Sequence, residues 1–131
     1  MNTLGDLQLV VEEISIKNND LPAGQFQVDP ILTKKVERLD DTHHAVRLLL
    51  ELKNTEKKPF PIELRVSLTG IAETSNVPEE AMDNFLNIQA VQIMFPYIRT
   101  MVTSLTSAAL MQPLILPFVD VRQLFQEQTT E

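Results

Sequence analysis

Ile62, Leu64, Val66 and Leu68 alternate with Glu63, Arg65, Ser67 and Thr69, and this period of two predicts a half-buried strand. Upstream, Val46, Leu48, Leu50 and Leu52 alternate with Arg47, Glu51 and Lys53, although Leu49 interrupts the polar side. The link Asn54-Thr55-Glu56-Lys57-Lys58-Pro59 has turn composition, so the two strands are expected to pair as an antiparallel hairpin. Leu7, Leu9 and Val11 make a first strand, after which the apolar parity switches to Ile14 and Ile16. A β-bulge near Glu12-Glu13 explains the switch. A weaker strand is expected from Thr33 to Leu39, after the loop Asp20-Leu21-Pro22-Ala23-Gly24.

Beyond Gly70 the period changes. Pro78, Glu79 and Glu80 make a favourable first helical turn, with acids where the helix dipole favours them. Val91, Met94, Phe95, Ile98, Met101, Val102 and Leu105 then recur at helical spacing. Pro96 lies within this run and is expected to kink or restart the helix, because it lacks an amide hydrogen. A short last helix is expected from Asp120, an acceptable N-cap, carrying Leu124 and Phe125. The chain reads as a single α+β domain over 1–131: a four-stranded antiparallel sheet with a long kinked helix and a short C-terminal helix on one side.

Composition narrows the chemistry. The chain has 131 residues, 44% of them hydrophobic, 22% charged and 5% aromatic, which suits one ordinary globular core. Without Cys there is no disulfide, thiolate metal site or cysteine nucleophile. Three Gly cannot build a glycine-rich phosphate loop, and a net charge of −7 has the wrong sign for nucleic-acid backbone. The N-terminus lacks the basic and apolar regions of a signal peptide. Residues 100–119 carry no charge over a bilayer-length stretch, yet Thr100, Thr103, Ser104, Thr106, Ser107, Gln112, Pro113 and Pro117 make it too polar to span a membrane. A soluble, cytoplasmic protein is expected.

Charge is unevenly spread. Residues 1–70 carry 11 acids and 9 bases, residues 71–131 carry 7 acids and 2 bases, and between Asn84 and Val119 only Arg99 is charged. A helix lying on one sheet needs one apolar stripe and a charged outer face. Here the outer face offers Arg99, Thr100, Thr103, Ser104 and Ser107. Either the helix lies in a crevice of its own subunit, or this face meets another subunit. Charge depletion favours an interface, for which a two-fold helix pair is the simplest arrangement.

Candidate catalytic groups are few. His43 and His44 are adjacent on a strand start, so their side chains point to opposite faces and cannot chelate one ion together. Asp40-Asp41 and Glu12-Glu13 meet the same objection as strand residues, and as turn residues they are solvated. Nothing supplies an activated nucleophile or a tuned base, so neither an enzyme nor a cofactor is expected. Phe26, Met111, Phe118 and Phe125 fall around loops and the last helix, where they either plug the ends of the core or line an adaptable apolar groove.

Ile93-Met94-Phe95-Pro96-Tyr97-Ile98-Arg99 resembles the Ile-Leu-Phe-Pro-Tyr-Ala-Arg helix motif of the SecB family of bacterial protein-export chaperones. Ser104-Leu105, Pro113-Leu114-Ile115-Leu116, Val119-Asp120 and Leu124-Phe125 follow that family's order, and Phe26-Gln27-Val28-Asp29 is similar to its Phe-Gln-x-Asp. Phe60 to Leu64 falls where the family has a Phe-x-x-Glu-Val strand start. Three features depart from the pattern. Ala90-Val91 replaces a Cys-Pro pair, and Pro30 replaces a tryptophan of a groove-lining loop. The acidic sheet face is matched at Glu63, but Arg65 and Lys53 share that face.

The resemblance implies a nucleotide-independent holdase, assembled as a dimer of dimers with its long helices at the centre. Unfolded polypeptides would lie in surface grooves, here Phe26, Met111, Phe118, Leu124 and Phe125, and pass to the SecA motor docked on the sheet at Glu63. Two other readings are a dedicated adaptor for one partner, such as an antitoxin, and a thioesterase-like enzyme, which would need a convergent acid or amide that the sequence does not display.

Overall fold

The computed structural model describes residues 6–19, 30–57, 59–109, 111 and 114–116. Four strands, β1 (Asp6–Asn18), β2 (Ile31–Arg38), β3 (His43–Leu52) and β4 (Ile62–Glu73), form one antiparallel sheet in the order β1-β4-β3-β2. The expected hairpin is β3–β4, with Leu50 opposite Val66 and Leu48 opposite Leu68. Consecutive strands β1 and β2 lie on opposite edges. β2 begins earlier than its periodicity suggests, and it ends one residue earlier where the Leu39 amide closes a turn by donating to the His43 carbonyl at 2.9 Å.

The apolar parity switch in β1 is a bulge. Val11 pairs with Leu68 and Glu13 with Ser67, so Glu12 is the extra residue. This corrects the expectation that Glu12 and Glu13 face opposite ways. The added residue restores parity, so both carboxylates stand on the face away from the helices.

The inner face carries Leu32, Val46, Leu48, Leu50, Leu52, Ile62, Leu64, Val66 and Leu68, all buried. Across it run α1 (Glu79–Asn84), a π-helical segment (Phe85–Gln89) and α2 (Ala90–Ala108), without an intervening loop. Burial explains the π turn. Phe85 and Leu86 precede Ala90 and Val91 by five residues, and all four are buried. An α-helix would bring positions 88 and 89 onto that face, whereas the π turn, with the Ala90 amide donating to the Phe85 carbonyl, inserts the extra residue. Val91, Met94, Phe95, Ile98 and Val102 then resume α spacing over the sheet.

The helix does not restart at Pro96. Pro96 and Gln92, whose carbonyl lacks its usual amide partner, both lie on the exposed side, where water can satisfy that carbonyl. Gly70 lies beneath Met94. A Cβ there would stand 2.8 Å from Leu7 Cδ1 and 2.9 Å from Met94 Sδ, so glycine permits the helix to approach this closely. The short helix expected from Asp120 lies outside the described residues, among which no helix is long and apolar enough to cross a membrane.

Candidate functional site

After α2 the chain turns back along the helix. The Met111 amide donates to the Thr106 carbonyl at 3.0 Å, Thr103 Oγ1 donates to the Leu114 carbonyl at 2.8 Å, and Arg99 Nε donates to the Leu116 carbonyl at 3.2 Å. Thr106 is fully buried. Its hydroxyl donates toward the Val102 and Thr103 carbonyls and accepts the Leu114 amide at 2.9 Å. Leu116 inserts into the core, while Ile115 points outward, 74% exposed. Met111 and Leu114 pack against the core's edge.

The five helix residues expected to meet a second subunit are thereby divided. Arg99 and Thr103 engage their own chain, as the crevice reading has it, whereas Thr100, Ser104 and Ser107 remain exposed. A groove of about 350 Å³ runs between the two segments, lined by Pro96, Thr100, Ser104 and Ile115 among others. Beside it α2 exposes Ile93 and Tyr97. The face is apolar toward the helix N-terminus and hydroxylated toward the C-terminus. At the β1 edge, Val10, Val11 and Ile14 are also exposed. Of the candidate groove residues, Met111 lies half-buried beside α2, and Phe26, Phe118, Leu124 and Phe125 lie outside the described residues.

The opposite face of the sheet is polar, and its charges are cross-linked. Arg47 Nε donates to Glu12 Oε1 at 2.9 Å, and its Nη1 stands 3.7 Å from Glu37. Arg65 Nε donates to Glu13 Oε1 at 2.8 Å and its Nη1 to Glu51 Oε2 at 3.2 Å. Thr69 also donates to Glu12, and that hydroxyl, with Arg47, holds the Glu12 carboxyl below its ordinary range. Exposed ion pairs stabilise by only ~0–1 kcal/mol each. Their larger consequence is a partly offset negative field, since each arginine is shared by two glutamates across strands.

Glu63 stands apart from this lattice. Among the described residues its ion pair is with Lys17 Nζ at 3.9 Å, and Arg65, which shares its face, is turned to Glu13 and Glu51. A groove of about 410 Å³ surrounds it, lined by Ser15, Lys17, Glu51, Lys53, Asn54 and Arg65 among others. Position in the sequence identified Glu63 and the neighbouring bases. The clamps by Arg47 and Arg65 left no sequence signal, because their partners lie on other strands.

The polar turn at the end of β2 is built for structure. Asp40 Oδ1 accepts the Thr42 amide at 2.8 Å and lies 3.0 Å from His43 Nδ1. These hydrogen bonds, the backbone one first, pull the Asp40 pKa down to about 2. His44 Nδ1 turns away to Thr74 Oγ1 at 2.9 Å, so the two histidines serve different partners, as their alternation on the strand requires. Among the described residues no group of His, Asp and Glu side chains could hold a metal ion.

Residues 8–131 match the SecB family, described as preprotein translocase subunit SecB. The chain is 28% identical over 131 residues to the protein-export protein SecB of Chromobacterium violaceum, covering 95% of this chain and 86% of that protein. To the protein-export protein SecB of Psychrobacter cryohalolentis it is 29% identical over 131 residues, covering 92% and 86% respectively. Among solved structures it is similar to a SecB-like chaperone of Mycobacterium tuberculosis in complex with a ChAD peptide from the HigA1 antitoxin. That likeness has a TM-score of 0.73 at 14% identity, covers 88% of this chain and 90% of that one, and is one of fold.

Proposed function

Since this chain belongs to the SecB family, we propose that it is an ATP-independent holdase of the cytoplasm that binds nonnative polypeptides through apolar grooves, and not an enzyme. The observation that carries the reading is the match to that family over residues 8–131. The exposed apolar side chains Ile93, Tyr97 and Ile115 support it, because an extended chain can be held by apolar surface without any catalytic group. Met111, Phe26, Phe118, Leu124 and Phe125 are the proposed client contacts.

The working form in this reading is a homo-oligomer, a dimer of dimers. Supporting it are the charge-poor α2 face, with Thr100, Ser104 and Ser107 exposed beside Ile93 and Tyr97, and the β1 edge with Val10, Val11 and Ile14. Arg99 and Thr103 shape that face from beneath, through their bonds to residues 114–116. Transfer to SecA would use the sheet at Glu63, an acid outside the arginine clamps.

A second reading is a dedicated chaperone for one partner. It draws support from the antitoxin peptide named with the Mycobacterium tuberculosis structure and from the arginine clamps that offset part of the acidic charge of the outer sheet face. The deciding experiment dilutes a denatured, unrelated precursor protein into buffer containing this protein and no nucleotide. Suppression of aggregation near stoichiometric ratios is expected of a generalist holdase. No suppression by folded, oligomeric protein overturns that reading and favours the dedicated one.

A further inference from the structure

Ile115 is an apolar side chain held outward. On one side of it the Leu114 carbonyl accepts from Thr103 Oγ1 at 2.8 Å, and the Leu114 amide donates to Thr106 Oγ1 at 2.9 Å. On the other side the Leu116 carbonyl accepts from Arg99 Nε at 3.2 Å, and the Leu116 side chain is buried. With both neighbours fastened, Ile115 does not turn into the core. It stands 74% exposed, more than any other large apolar side chain among the described residues. Such a side chain is favourable to cover, because the backbone that carries it is already ordered.

Ile115 also walls a groove of about 350 Å³, together with Pro96, Thr100 and Ser104. These three lie four residues apart on α2 and are exposed, so they line up along one side of the helix. Thr100 and Ser104 are short, which leaves room beside the isoleucine. A protruding side chain and a slot thus adjoin on one surface. A two-fold axis between them seats each copy's Ile115 in the other's groove, and the contact closes on itself without growing into a filament. Charge points to the same partner. The chain has a net charge of −7, yet between Asn84 and Val119 it carries only Arg99. Two acidic copies can therefore meet along these segments without opposing acids from either one.

We propose that Ile115 anchors the contact between two copies: each copy's Ile115 enters the groove that Pro96, Thr100 and Ser104 form on the other. The inference rests on the homo-oligomer proposed above and names the side chain that holds it together.

The test compares the unsubstituted protein with Ile115→Ala, Ile115→Leu and Ser104→Phe, each with native circular dichroism. Sedimentation velocity over a dilution series gives the dissociation constant of the assembly, and binding of a denatured precursor is measured in parallel. Losing the buried isoleucine costs about tenfold, and a two-fold contact uses it twice, so Ile115→Ala should weaken association about a hundredfold. Ile115→Leu keeps the volume and should cost less than about tenfold. Ser104→Phe fills the groove and should weaken association as Ile115→Ala does. Association of Ile115→Ala equal to that of the unsubstituted protein overturns the proposal, and so does unchanged association of Ser104→Phe. If Ser107→Arg still splits the assembly in that case, the face stands as an interface and only the anchor is lost. Weaker precursor binding by Ile115→Ala at unchanged association also overturns the proposal, since it assigns Ile115 to clients.

Discussion

The backbone amide of Leu114 donates to the buried hydroxyl of Thr106 at 2.9 Å, and this bond fastens the returning chain to α2. The same hydroxyl gives its hydrogen to the preceding turn of the helix, so one side chain satisfies a donor on the returning segment and an acceptor on the helix. Leu116 enters the core two residues further on, and Ile115 is thereby turned outward.

Thr106→Val keeps the shape of the side chain and removes the acceptor. The Leu114 amide then loses its partner, at a cost of about 1–3 kcal/mol. The melting temperature should fall, and the amides of Met111, Leu114, Ile115 and Leu116 should exchange faster than those of the sheet. Uniformly faster exchange across the whole chain would contradict this local account.

Gly70→Ala tests the close approach of helix to sheet. The new methyl group would meet Leu7 Cδ1 and Met94 Sδ at under 3 Å. Overpacking of this kind costs about 1–3 kcal/mol, unless the flexible Met94 side chain moves aside. Met94→Ala in the same chain should recover part of the loss, which a double-mutant cycle measures.

Ser107→Arg puts a charge on the proposed contact face of α2 while leaving the core alone, since Ser107 is exposed. A folded species of smaller mass is the expected outcome in sedimentation equilibrium. An unchanged mass would remove this face from the assembly.

Phe26→Ala should weaken the binding of nonnative chains while leaving the melting temperature nearly unchanged, because Phe26 is proposed as a client contact. Titration calorimetry with a denatured precursor checks the binding, and parallel thermal melts check the fold. An equal loss in both would place Phe26 in the core.

Acid should loosen the turn between β2 and β3. Asp40 has its pKa depressed in the folded chain from 3.8 to about 2, so its ionised form favours the native state. That contribution is fully present above the unfolded value and disappears as pH falls from about 4 through about 2. Asp40→Asn removes the titrating group. The variant should therefore lose less stability than the parent over that window when both are unfolded in urea at successive pH values. Parallel curves would show that the turn does not sense Asp40.

The strands were legible because burial of one sheet face imposes a period of two on any strand, wherever its partners lie. The bulge was legible for the same reason, since the step from Val11 to Ile14 breaks that period. The family motif around Phe95-Pro96-Tyr97 was legible as well, and the match over residues 8–131 agrees with it. Of the two outcomes expected at Pro96, a kink or a restart, the restart does not occur, because proline's cost depends on which side of the helix it falls, and here it falls on the exposed side. The π turn had a signal, the five-residue step from Phe85-Leu86 to Ala90-Val91, but only when those four residues are already known to be buried.

By itself, then, the sequence determined which residues face inward, where strands give way to helix, and that the long helix has a charge-poor second face. These are local properties, set by backbone periodicity and side-chain polarity within a few residues. Tertiary structure alone decided that β1 and β2 take opposite edges, that Arg65 bonds Glu13 from 52 residues away, and that Thr103 and Arg99 are used by their own chain. Each of these depends on which distant segments become neighbours. That choice is made by packing the whole sheet against the helix, and no local period encodes it.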